Sequence, residues 1–147
     1  MKPHVVLIDD WPQPDTVTRA AVAARGSRLA VCYGSDERFV VLALPYSDMK
    51  MGGPNDETLN GHPLYEFGLK HYSIHRIENS PWLQELERQN SVHPRHTSAW
   101  FLNGKVHYLI ALKEQTIECV AIGTEVQIET FESQHSALEH LKASLGA

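Results

Sequence analysis

The sequence predicts an α+β fold: a mainly antiparallel sheet of about five to six strands with two to three helices packed on it. Two observations carry most of that prediction. Apolar runs come in pairs joined by short polar turns, Arg28 to Tyr33 with Arg38 to Leu44, and Val106 to Leu112 with Thr116 to Ile122. Tight turns of this kind join antiparallel neighbours, because parallel strands need a long crossover. The second observation is that the three helix signals do not alternate strictly with the strands, which favours α+β over α/β.

The elements follow in order. His4 to Ile8 is a short β-branched run and reads as a strand. Asp9 to Asp15 is a loop with two prolines; its paired acids, Asp9 and Asp10, read as a solvated loop start, since the aspartate and lysine that a receiver-type magnesium site needs on later strands are missing. Asp15 is a cap for a helix over Thr16 to Arg25, whose apolar face is Val17, Ala20, Ala21 and Ala24, and which Gly26 stops. The first hairpin follows, with Pro45 ending its second strand. Residues 46 to 70 carry Gly, Pro and Asn with little periodicity and read as one long loop, a length usually tied to function.

His71 to Glu78 alternates weakly and reads as a strand. Ser80-Pro81 starts a helix, with serine as N-cap and proline at the first helical position, and Trp82, Leu83, Leu86 and Asn90 fall on one side of it. The 106–122 hairpin is the clearest β signal. Glu125 to Phe131 alternates as a half-exposed edge strand. From about Ser133 to Leu145 an amphipathic helix buries Leu138, Leu141 and Leu145.

Composition bounds the function. The 147 residues fit one domain, and 42% hydrophobic with 21% charged residues describes a globular chain. Thirteen basic against eighteen acidic side chains give a formal charge of −5, which argues against general nucleic-acid binding. Protonating all nine histidines would carry that charge to +4, so its sign is pH-dependent. No apolar run reaches the ~18 residues of a membrane helix, and the first residues lack a signal-peptide core. The expected compartment is therefore the cytoplasm, where Cys32 and Cys119, each inside a strand-like run, are buried thiols.

Two groups of residues could carry chemistry. His62, His93 and His96 form the candidate metal set, with a divalent ion such as zinc as the cofactor; His93 and His96 are three apart on a proline turn, a spacing at which imidazoles converge. Arg95, between them, could hold an anionic substrate group. The second group comes from strand pairing. If residue 111 faces 116 or 118, then His107, Leu109 and Ala111 share a face with Thr116, Glu118 and Val120. Glu118 is the sole charge in its strand, and a carboxylate there is costly to bury unpaired. It faces water, pairs with His107 or an arginine, or lines a pocket. Cys119 alternates away from both and is core.

Two readings follow. The first is a small hydrolase or lyase acting on a small anionic substrate, with His107, Glu118 and Arg95 as catalytic residues and His62, His93 and His96 as metal ligands. The second is a non-catalytic binding protein, such as an inhibitor or antitoxin-like partner, whose partner no residue identifies; self-association through Glu125 to Phe131 belongs to this reading.

Overall fold

The computed structural model describes residues 1–123 and 125–146. Among them run β1 (His4–Leu7), β2 (Ala21–Arg25), β3 (Arg28–Ser35), β4 (Arg38–Gly52), β5 (Ser73–Glu78), α1 (Pro81–Asn90), α2 (Ser98–Leu102), β6 (Lys105–Ala111), β7 (Thr116–Ile122), β8 (Gln127–Phe131) and α3 (Gln134–Ser144). The class is α+β, with every strand pair antiparallel; the sheet has eight strands, more than the five to six expected.

The two additional features arise from pairing, not from local pattern. Ala21 to Arg25 is the strand β2, where the sequence predicts part of a helix. It pairs with β3 from Ala21↔Cys32 to Arg25↔Arg28 across a two-residue turn, in which Gly26 takes φ +58. Asp15 does cap a turn, accepting the Thr18 N–H at 2.7 Å, but that turn packs over Gly34, where any β-carbon would lie within 2.6 Å of Thr18. Alanine's helix preference is worth only tenths of a kcal/mol per residue, so a full strand pairing outweighs it. The small alanines instead let α3 approach: Ala21 and Ala23 pack against the cluster of Ala30, Cys32, Val41, Ala43, Ala137 and Leu141.

Pro45 does not end β4, which continues to Gly52. Its first half pairs with β3 on one edge and β8 on the other; from Tyr46 onward it pairs with β7. The Tyr46 N–H bonds the Ser27 carbonyl, so the Pro45 nitrogen points to the opposite edge, between the end of the β8 pairing at Ala43 and the start of the β7 pairing. A proline is tolerated where the ladder has no bond to lose. A register shift between Tyr46 and Asp48 bends the strand there. The sheet therefore has two wings, β2-β3-β4-β8 and β4-β7-β6-β5-β1, which close on one apolar core containing Leu29, Tyr33 and Leu42 from the first and Ile74, Ile110 and Ile117 from the second.

Each wing is covered on its outer face. α3 covers the first. The segment between β4 and β5 covers the second, with Leu59, Leu64 and Leu69 buried against Val5, Ile77, Leu109 and Ala111. What reads as a loop over 46–70 is thus seven residues of strand followed by a cover with two 3-10 turns, Leu59–Gly61 and Tyr65–Phe67. α1 is capped by Ser80, whose Oγ accepts the Leu83 N–H at 3.1 Å, with Pro81 at its start. α2, unforeseen from the sequence, is a single turn capped by Thr97.

Candidate functional site

The 106–122 hairpin pairs Ala111 with Thr116, which places His107 and Glu118 on the same face, diagonal to each other across β6 and β7. That face is the covered outer face of the second wing, while Cys119 points the other way into the core. Burial pushes the Cys119 thiol up to about 12, and both cysteines are free. Glu118 also faces Lys50 directly across β4 and β7.

Four segments meet at the Glu118 carboxylate. His107, from β6, bonds Oε1 through Nε2 at 2.8 Å. His62, from the covering segment, bonds Oε2 through Nε2 at 3.1 Å. The Lys50 ammonium, from β4, lies 3.9 Å from Oε2. Beyond His107, its Nδ1 is 2.7 Å from Oγ of Ser80 at the start of α1. Trp82 stands edge-on over the His107 ring at 5.1 Å, and Lys50 lies 4.4 Å over the Trp82 ring.

The proton positions follow from the partners. An ionised carboxylate only accepts, so both imidazoles present Nε2–H to Glu118. The Leu64 N–H donates to His62 Nδ1 at 3.0 Å, which leaves His62 neutral with both nitrogens engaged. The Ser80 Oγ already accepts the Leu83 N–H. A neutral His107 ring, with Nε2–H spent on Glu118, keeps a lone pair on Nδ1, and the Ser80 hydroxyl donates to it. Hydrogen bonds therefore run in one direction, from Ser80 to His107 to Glu118. Burial drives the Glu118 carboxyl upward, but the hydrogen bonds from His107 and His62, with the nearby Lys50 ammonium, outweigh it and hold Glu118 at about 2. It is a carboxylate at any physiological pH.

The network borders three cavities. The largest, of about 420 Å3, is lined by Lys50, His62, Thr116 and Glu118 with Gly53 and Pro54. Two others flank His107 and Ser80. One, of about 300 Å3, is lined by Lys50, His62, Leu64, Trp82, His107 and Glu118. The other, of about 390 Å3, is lined by Ser80 with Arg76, Asn79, Gln84 and Lys105.

Of the expected site residues, the structure brings His62, His107 and Glu118 together. His93, His96 and Arg95 lie elsewhere. His96 accepts from Asn90 Nδ2 through Nδ1 at 2.9 Å and lies 3.8 Å from Glu87, which ties it to the end of α1. His93 Nδ1 takes the Arg95 N–H at 3.0 Å. His93 and Arg95 border a separate hollow of about 550 Å3 with Thr97 and Trp100, sharing no residue with the Glu118 cleft. The metal set of His62, His93 and His96 is therefore not assembled, because His62 is carried to the sheet by the covering segment. Among the described residues no group of three or more His, Cys, Asp or Glu is disposed to hold a metal ion.

The sequence does not point to Lys50, Ser80 or Trp82 as site residues. Ser80 and Trp82 were legible as the start and inner face of α1, but only the docking of that helix aims them at His107. Lys50 was hidden because Pro45 looked like a strand end. Comparison with protein-family models, curated proteins and solved structures finds no match, so the chemistry of the site is read from its own geometry.

Proposed function

We propose that this chain is a small hydrolase or lyase that uses histidine acid–base chemistry on a small anionic substrate, with His107 as base and Glu118 as its orienting carboxylate. One observation supports this above the rest: a buried, ionised carboxylate accepts hydrogen bonds from two imidazoles at the wall of a cleft. A carboxylate that fixes the tautomer of an imidazole and stabilises its protonated form is what general base catalysis requires. His62 acts as a positioning residue on the second carboxylate oxygen. The anion-holding role expected of Arg95 falls instead to cations that line the two cavities flanking His107 and Ser80, Lys50 on one side and Arg76 with Lys105 on the other.

The test is turnover of a panel of p-nitrophenyl esters and phosphates that carry a second anionic group, measured in the presence of a chelator. The expected result is hydrolysis that falls on the order of 10²- to 10⁴-fold in His107→Gln and Glu118→Gln and is unchanged in the His93→Ala/His96→Ala double variant. Full activity in Glu118→Gln would overturn the acid–base reading, and no turnover on any member of the panel would overturn the anionic-substrate reading.

A further inference from the structure

We propose that Ser80 is a nucleophile and that the reaction is acyl transfer through a serine ester, on an ester substrate carrying an anionic group. The inference rests on the acid–base reading of His107 and Glu118 and adds to it a reacting atom.

Ser80 has an evident structural task as the cap of α1, but that task uses only a lone pair on Oγ. Its proton remains to be placed. A capping serine on a surface gives it to water; Ser80 is only 3% exposed and gives it to His107 Nδ1 at 2.7 Å, while the other nitrogen of that ring is held 2.8 Å from a carboxylate. Hydroxyl, imidazole and carboxylate in that order, each within hydrogen-bond reach of the next, form the constellation that activates a serine. The two ring nitrogens are used in the sense opposite to the commonest arrangement, which leaves the direction of proton flow the same. Trp82 packs edge-on against the imidazole at 5.1 Å between ring centroids. Asn79, in the left-handed region at φ 52°, turns the chain from β5 into α1 and sets Ser80 at the wall of the 390 Å3 cavity. Arg76 and Lys105 line that cavity with one acid, Glu78, so its lining carries a net positive charge suited to an anionic ester.

The step balances without any co-reactant beyond water. Ser80 Oγ bonds to the acyl carbon as its proton passes to His107 Nδ1. The carbon–oxygen bond to the leaving alcohol then breaks, and His107 returns the proton to that oxygen. Water attacks the serine ester, again giving its proton to His107, and the proton passes back to Ser80 Oγ as the acid leaves.

An alkyl fluorophosphonate tests this without knowledge of the substrate, since attack forms the Ser80 O–P bond and expels fluoride. Intact-mass analysis of the folded full-length chain is expected to show one adduct, which peptide mapping places on Ser80. It is absent in Ser80→Gly, a variant that keeps most of the cap, and forms at least about 100-fold more slowly in His107→Gln. No adduct on Ser80, or an equal rate in His107→Gln, would overturn the proposal. The outcome is separable from the preceding test: ester turnover that survives in Ser80→Gly removes the nucleophile and leaves the acid–base pair standing, whereas a His107-dependent adduct without panel turnover supports the nucleophile and removes the substrate reading.

Discussion

His75 and His107 are neighbours on one sheet face, and both are almost completely buried, at 0% and 1% exposure. Their surroundings differ in one respect. His75 accepts the Lys70 N–H through Nε2 at 3.0 Å, and its Nδ1 donates to the Leu109 carbonyl at 3.1 Å. Both partners are backbone, and neither can take up or release a proton. His107 bonds a hydroxyl and a carboxylate. Burial of an imidazole thus says little about its use; the chemistry of its two partners says much more. His75 staples the covering segment to the sheet, and His107 connects groups that exchange protons.

The largest expected effect sharpens the structural side of that contrast. His75→Ala removes a fully buried ring and leaves an amide and a carbonyl unpaired, a cost of about 3–5 kcal/mol in denaturant unfolding. Where the protein still folds, the rate of fluorophosphonate labelling at Ser80 should be preserved; a labelling rate that collapsed along with stability would break the division of roles. Glu118→Gln is the counterpart. It keeps the volume but loses a charge that accepts two hydrogen bonds, so unfolding free energy should fall by about 2 kcal/mol, less than for His75→Ala, while labelling falls by orders of magnitude.

Acid unfolding separates the two histidine environments. Burial lowers the His75 pKa below its usual 6.5, despite the Leu109 hydrogen bond. The unfolded chain therefore binds that proton more readily, and the contribution of His75 is complete above 6.5 and lost as pH falls below it. Glu118 moves from 4.5 to about 2, so its contribution is complete above 4.5 and fades from there toward 2. Stability should decline in two ranges, with His75→Phe abolishing the upper and Glu118→Gln the lower. A single range lost in both variants would show that the two sites titrate as one.

Ser80→Ala should cost about 2 kcal/mol, the helix cap together with the lost bond to the buried His107 Nδ1, and Ser80→Gly about 1 kcal/mol, since glycine keeps most of the cap. The smallest effect belongs to His93→Ala, which should leave both Tm and labelling unchanged. A measurable loss there would give the 93–100 turn a role that its separation from Glu118 argues against.

Much of this was legible in short stretches of chain. Period-two alternation and a four-residue turn put His107 and Glu118 on one face, because side chains alternate strictly along paired strands. Ser80-Pro81 announced α1 through local capping chemistry. Leu59, Leu64 and Leu69, spaced by five, match neither helix nor strand period, so the buried side of the covering segment reads as loop and only the structure shows it. Everything else depended on segments far apart in sequence. The alanines of β2 prefer helix by amounts too small to resist pairing with β3. β4 continues past Pro45 because its partner changes at that residue. Of nine histidines, His62 reaches Glu118 across 56 positions while His93 and His96 do not, a choice made by where the leucines of the covering segment find burial. Alternation and capping act within a turn or a strand and can be read there. The meeting of a carboxylate, two imidazoles and a serine is set by packing between distant elements, which no local pattern encodes.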